Sequence, residues 1–271
     1  MQTPQFDVHA ACEEHHWWFL GRRAILDALL HELLPPSSVR DYDVKSRGDH
    51  VALRESRLLI DVGCGTGGVT AYLSREYRVI GVEPTEDGFN RARGRFPHCT
   101  FVHGYAPKDV AEDFAKADGI LLIEVLEHIE NDVAFVHELI EHMKPGAFLI
   151  MMAPADMSLW SPHDVAFEHY RRYEPDTFRK LWTGTPVEEL LMSHCMSRLY
   201  PLAKVQRMIN RIKGSSSGEG GTDVTMPPAP INAILKTIYA GEAKRLVKVL
   251  QRKAKPYRKG VTTVAVLRKN G

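Results

Sequence analysis

Three groups of residues in this 271-residue chain have the types and spacing to do chemistry. The first is Asp61 with Gly63, Gly65 and Gly67, in the stretch LLIDVGCGTGGVT from Leu58 to Thr70. Alternate glycines directly after an apolar run let the backbone turn sharply and approach a ligand closely, because no Cβ stands in the way. The second is Glu83, which ends the apolar run RVIGVE 20 positions after Gly63. In a βαβ unit that is where a carboxylate accepts ribose hydroxyls. The third is a set of histidines, His128, His163 and His169, whose side chains suit proton transfer near neutral pH. A glycine turn alone serves nicotinamide, flavin and sulfonium cofactors alike. The spacing Gly-x-Gly-x-Gly differs from the Gly-x-Gly-x-x-Gly of dinucleotide sites, which disfavours a nicotinamide-dependent oxidoreductase.

The elements that must position these groups alternate along the chain. Apolar strands are expected at 58–62, 78–83, 100–103, 118–123, 147–153 and 187–193, with a β-branched last strand at 261–267. Helical segments lie between them: 69–76, 85–96, 130–143 and 175–182. This pattern gives a doubly wound α/β sheet, with ligands at the carboxyl ends of its strands. The most apolar strand, 118–123, should be central, and Glu124, Val125, Glu127 and His128 follow it. Glu127 is expected to cap or brace the next helix. The segment 156–173 is a loop carrying His163, Asp164, His169, Arg171 and Arg172. Each arginine suits either an anionic substrate group or a salt bridge to Asp164 or Glu168. Arg91, Arg93 and Arg95 are expected to face solvent.

Together these stretches resemble the class I S-adenosylmethionine-dependent methyltransferases. DVGCGTG at 61–67 matches their first motif, Glu83-Pro84 their second, ILLIEVLEHI at 120–129 their fourth, and KPGAFLIM at 144–151 the one after it. The resemblance implies a Rossmann-like, seven-stranded, mostly parallel sheet whose last strand lies antiparallel beside the sixth. It implies S-adenosyl-L-methionine as cofactor, S-adenosyl-L-homocysteine as product, and no metal. Cofactor contacts are expected from Asp61, Gly63, Cys64, Gly65, Gly67, Glu83, Pro84, Tyr105, Ala106, Glu124 and Val125. Relatives place an acid after the glycine of the third strand, where this chain has Tyr105; the Ala106 backbone or stacking by Tyr105 would take over adenine recognition. His128 matches a histidine near the methyl group in small-molecule relatives, and His163 and His169 are the next candidates for the base of an O-methylation.

The opening HHWWFLGRR at 15–23 also resembles a methyltransferase subgroup. Arg22 shares a helical face with Ile25, Leu26, Leu29, Leu30 and Leu33, and Pro35 and Pro36 stop that helix. Trp18 and Arg22 are either part of a hydrophobic cap with a snorkelling arginine or a cover over the cofactor, with Arg22 meeting its methionine carboxylate. The expected organisation is a helical cover and connector over 1–57, a cofactor-binding core over 58–194, a helical insert over 195–260 with a flexible part at 214–230, and a final core strand over 261–271.

Net charge of +1 and no basic patch with interleaved aromatics argue against nucleic acid as partner. No apolar run spans a bilayer, and four scattered cysteines fit a reducing cytoplasm. The resemblance to small-molecule methyltransferases implies a small-molecule acceptor. An amphipathic basic helix over 231–252 makes an anionic one compatible. The alternative to an enzyme is a cofactor-binding, non-catalytic partner protein docked through that helix. The sequence carries no signal for an oligomeric state.

Overall fold

A computed structural model describes residues 3–35, 57–213 and 225–271. Of the expected cover and connector, residues 36–56, and of the expected flexible part at 214–230, residues 214–224, lie outside these residues. Two N-terminal helices, α1 (Thr3–Cys12) and α2 (Trp17–Leu33), precede an alternating series: β1 (Leu58–Val62), α3 (Gly68–Leu73), β2 (Arg78–Glu83), α4 (Glu86–Arg95), β3 (Thr100–His103), α5 (Ala111–Phe114), β4 (Gly119–Ile123), α6 (Asp132–His142) and β5 (Phe148–Pro154). Two short helices follow, α7 (Pro162–Ala166) and α8 (Pro175–Arg179), then β6 (Val187–Cys195), α9 (Tyr200–Lys213), α10 (Ala229–Ala240), α11 (Ala243–Leu250) and β7 (Thr262–Lys269).

The seven strands form one sheet in the order β3-β2-β1-β4-β5-β7-β6. Strands β1 to β5 pair in parallel, and β7 runs antiparallel to both neighbours. The last strand thus lies beside the sixth as expected, but it does so by inserting between β5 and β6. The order reverses at β1 and β4, and the carboxyl ends of those two strands carry the glycine turn and Glu124. Such a switch point opens a crevice above the sheet.

Alternation along the strands divides the core into two layers. Ile60, Ile120, Leu122, Leu149 and Met151 point to α6 and the turn at Leu181–Trp182. Leu59, Leu121, Ile123, Ile150 and Met152 point to Ile25, Leu26, Leu29 and Leu30 of α2. Each such buried side chain contributes about 2 kcal/mol. The long N-terminal helix is therefore a sheet-covering layer as well as a flank of the site.

α10 and α11 pack on α2, and the basic helix expected over 231–252 is two helices, broken at Gly241-Glu242. Glu242 is fully buried and accepts from the Arg198 backbone N–H at 2.7 Å, which holds the break against the end of β6. Gly21 permits the close approach of α10. A Cβ there would sit 2.4 Å from Cδ1 of the buried Tyr239.

Candidate active site

The first wall of the crevice is made by backbone. Gly63, Gly65 and Gly67 have φ of +70°, +55° and +83°, a region that side chains rarely enter. A Cβ on Gly63 would strike Val125 Cγ2 at 2.7 Å, whereas a Cβ on Gly65 would meet nothing within 4 Å. The turn is pressed against the end of β4 on one side and open on the other. Glu83 is buried at the end of β2, and its Oε2 accepts from the Gly65 N–H at 2.8 Å. Its Oε1 accepts from the Thr85 backbone and hydroxyl at 3.0 and 2.6 Å. The structure thus brings the glycine turn and the acid of the second strand together.

Asp61 points into the turn and accepts from the Thr70 hydroxyl at 2.6 Å, tying β1 to α3. Burial pushes its carboxyl up to about 6, against the pull of that hydrogen bond. Burial likewise pushes the Cys64 thiol well up, so it stays protonated. Pro84 lies beside Glu83, with its carbonyl held by His103 Nε2 at 3.1 Å. Ala106 is buried, while Tyr105 is 67% exposed and its N–H donates to Asp109 Oδ2 at 2.7 Å.

The second wall comes from the N-terminal segment. Arg22 is 7% exposed, lies 4.3 Å over the Trp18 ring, and brings Nη1 to 3.8 Å from Glu124 Oε1. Arg22 Nε and Nη1 and Glu124 Oε1 have no hydrogen-bond partner among the described residues. Burial raises the Glu124 carboxyl, and Arg22 pulls it back. Glu124 also holds φ +59°, a strained conformation of the kind that clusters at functional sites. Glu13, which the sequence reading passed over, is buried against the turn. It accepts from the Thr66 hydroxyl at 2.9 Å and pairs with Arg95, which also donates to the Thr66 carbonyl at 3.0 Å. Arg95 therefore clamps α1 onto the turn instead of facing solvent. An acid in the turn after α1 has no spacing that would relate it to an arginine 82 positions later.

The third wall joins the end of β4 to the loop after β5. Leu126–His128 forms a 3-10 turn. Glu127 is 1% exposed, and neither of its carboxylate oxygens has a partner among the described residues. The expectation that it braces its helix is not met: Asn131 caps α6, and the buried Tyr173 hydroxyl reaches Asp132 at 2.7 Å and the Leu126 carbonyl at 3.0 Å. Burial, with Glu124 beside it, pushes the Glu127 carboxyl well up. His128 and His169 meet edge to face with ring centres 4.7 Å apart. Burial, reinforced by His169, lowers His128 to about 3, so its ring is neutral at physiological pH. His163 lies farther off, 6.1 Å from His169 and 4.3 Å from Phe167. His9 of α1 stands 5.3 Å from both Phe19 and Phe167, which links the N-terminal segment to this loop.

Asp164 organises the loop. It caps α7 from within, accepting from the Ser161 N–H at 2.8 Å, and holds His169 Nδ1 at 3.0 Å. Arg172 donates to both its oxygens at 2.8 and 3.0 Å. Burial pushes the Asp164 carboxyl up, but the His169 hydrogen bond and the Arg172 guanidinium outweigh it and hold the acid below its usual range. Arg171 pairs with Asp132 and donates to the Glu130 carbonyl. The expected salt bridge to Asp164 is made by Arg172, whereas Arg171 takes Asp132, an acid outside the expected pair, because the loop lays it against the start of α6. A separate cavity of about 330 Å³ lies on the outer side of α3, lined by Glu14, Arg23, Tyr72 and Arg75, and no sequence-predicted site residue lines it.

This arrangement offers a bare backbone surface with an acid beneath it, an opposed guanidinium and carboxylate, and a histidine cluster across from them. A family model described as a methyltransferase domain matches residues 22–192, well over half of the chain. Among curated relatives, ajmaline N-methyltransferase of Rauvolfia serpentina is 25% identical over 190 residues, covering 67% of this chain and 60% of its own. Trans-aconitate 2-methyltransferase of Rhodopseudomonas palustris is 28% identical over 147 residues, covering 50% and 55%. With the norajmaline N-methyltransferase of Rauvolfia included, the chain spans 39% to 60% of the length of these relatives. Among solved structures, the plantazolicin methyltransferase BamL superposes with a TM-score of 0.51 at 15% identity, over 93% of this chain and 86% of that one, a likeness of fold. The chain belongs to the methyltransferase domain family, within the class I S-adenosylmethionine-dependent methyltransferases.

Proposed function

We propose that the protein transfers a methyl group from S-adenosylmethionine to an oxygen of a small molecule. The observation that carries the reading is the crevice between β1 and β4. There, open space above Gly65 adjoins an orphaned buried guanidinium and carboxylate, Arg22 and Glu124. Buried polar groups without partners are costly unless a ligand completes them. A zwitterionic amino-acid group does so: its carboxylate suits the planar fork of Arg22, and its ammonium suits Glu124. Glu83 lies below the turn to take sugar hydroxyls, and Ala106 with the exposed Tyr105 flanks the purine position. When bound, the cofactor supplies an electrophilic methyl on a positively charged sulfur; the protein supplies position and electrostatics.

For an oxygen acceptor, the chain must also hold the reacting hydroxyl and dispose of its proton. The cluster of Glu127, His128 and His169 is where it has the groups to do so, and neutral His128 with its bare Nδ1 stands at the centre. His163 is the least suited of the three histidines, because it stacks on Phe167 away from His128. His9, Phe19 and Phe167 pack together beside this cluster and join the N-terminal segment to the loop.

Calorimetric titration with S-adenosylhomocysteine, paired with transfer of a labelled methyl group to a panel of hydroxylated and aminated small molecules, tests the proposal. Binding of one equivalent with label appearing on hydroxyl acceptors is expected. Absence of binding overturns the cofactor assignment, and label found only on amines overturns the oxygen assignment.

A further inference from the structure

We infer that Glu127, His128 and His169 form a binding site for a divalent first-row transition cation. One ligand atom from each of the three lies within 4.8 Å of the others, a spacing that a single ion can bridge. The carboxylate is the decisive member. It is 1% exposed, and both oxygens lack any partner among the described residues. An uncompensated acid at that depth is expensive to maintain unless a cation completes it.

Both histidines are prepared as ligands. The ring of His128 is hydrogen-bonded to the backbone of Phe167, and its Nδ1 is buried and unpartnered. That bond fixes the tautomer and leaves the Nδ1 lone pair for an ion. His169 gives Nδ1 to Asp164 at 3.0 Å, which leaves Nε2 as its free ligand atom. Asp164 is itself locked by both of its bonds from Arg172. A carboxylate that orients a ligating histidine, and is in turn held by another group, is the outer support typical of metal centres.

Two histidines and one carboxylate on one side of an ion leave coordination positions open. This is where the inference deepens the proposed function, and in that part only does it rest on it. An acceptor hydroxyl placed at an open position loses its proton to solvent more readily, because the cation stabilises the oxyanion. The oxygen then forms the bond to the methyl carbon, the carbon–sulfur bond breaks, and its electron pair remains on the sulfur. The cation undergoes no change of oxidation state. His128 acts as a ligand in this scheme, not as the base. A second cluster, Asp27, His31 and Glu76, is also spaced for an ion, but it is exposed and His31 already pairs with both acids. It serves as an internal control.

Cobalt(II) is the probe, because it reports its coordination by visible absorption. The full chain, freed of metal with a chelator, is titrated with Co2+ by calorimetry and absorbance, alongside Glu127→Gln, His169→Asn and His31→Ala. One equivalent is expected to bind with a visible band, at least about tenfold more weakly in the first two variants and unchanged in His31→Ala. Overturning results are the absence of stoichiometric binding to the wild type, binding retained in both Glu127→Gln and His169→Asn, or binding lost in His31→Ala. Circular dichroism and S-adenosylhomocysteine titration of each variant separate misfolding from ligand loss, and either of the two ligand variants suffices if the other fails to fold. Co2+ binding without cofactor binding would leave the metal site standing and remove the proposed methyl transfer. Cofactor binding without Co2+ would do the reverse.

Discussion

The two halves of the candidate site are built on different principles. The glycine turn between β1 and α3 is mostly local: residues 61 to 70 make it, its geometry is a matter of backbone torsions, and Asp61 within it is answered by Thr70 nine positions away, with Glu83, Glu13 and Arg95 buttressing it from outside. The cluster at the end of β4 is assembled at a distance. Glu127 and His128 meet His169 across some 40 positions, and the loop that brings His169 is held by Asp164, Arg172 and the Tyr173 bridge to Ala155. The turn presents backbone and open space, while the cluster presents the Glu127 oxygens and His128 Nδ1, which nothing among the described residues satisfies. The first is open above Gly65. The second is incomplete until a group arrives.

The sharpest way to break this comparison is to fill the turn while leaving the cluster alone. Gly65→Arg places a long side chain in open space at a φ that costs about 1–2 kcal/mol. Loss of all measurable S-adenosylhomocysteine binding is expected with the cooperative melt retained; undiminished binding would mean that the ligand lies elsewhere.

Next in size is the buried acid of the turn. The Asp61 carboxyl is raised to about 6 from 3.8, so between those values the folded chain holds more protons than the unfolded one. Stability therefore falls as pH rises through that window, by on the order of 3 kcal/mol once the acid is fully ionised. Asp61→Asn keeps an acceptor for Thr70 and removes the titration. Urea unfolding at intervals from pH 4 to 7 should show the variant gaining on the wild type as pH rises.

Gly21→Val should cost about 2 kcal/mol, because the new side chain overpacks the contact with Tyr239. Thermal melting reads the loss, and cofactor binding by the surviving folded fraction should hold, since the turn is made without α10. Smallest is Arg22→Lys, which keeps the charge near Glu124 but removes the planar fork and its stacking on Trp18. About a tenfold loss of S-adenosylhomocysteine affinity is expected from calorimetry, with little change in melting temperature. An unchanged affinity would place Arg22 with the core and not with the ligand.

Much of the turn was legible before any coordinates. Its residues are contiguous, glycine spacing reports backbone torsions directly, and Glu83 sits at a distance fixed by one βαβ unit. The strand ends that hold Glu124 and His128 were legible for the same reason. Glu127 read as a helix brace because acids near helix starts often are, and only the packing of Tyr173 against Asp132 and Leu126 shows that the bracing is done by other groups. Arg95 read as solvated because its neighbours along α4 are polar, yet Glu13 and the Thr66 carbonyl claim it. The single basic helix expected over 231–252 follows a helical period, and its break at Glu242 is held by the Arg198 N–H from the connection between β6 and α9.

The sequence by itself determined the strands, the α/β alternation and the bare bend at the tip of β1, because strand periodicity and glycine torsions are properties of neighbouring residues. Tertiary structure alone decided which charges are answered and which are left open. Whether Arg22, Glu124, Glu127 and His128 find partners depends on side chains brought from elsewhere in the chain, and burial sets what an unanswered group costs.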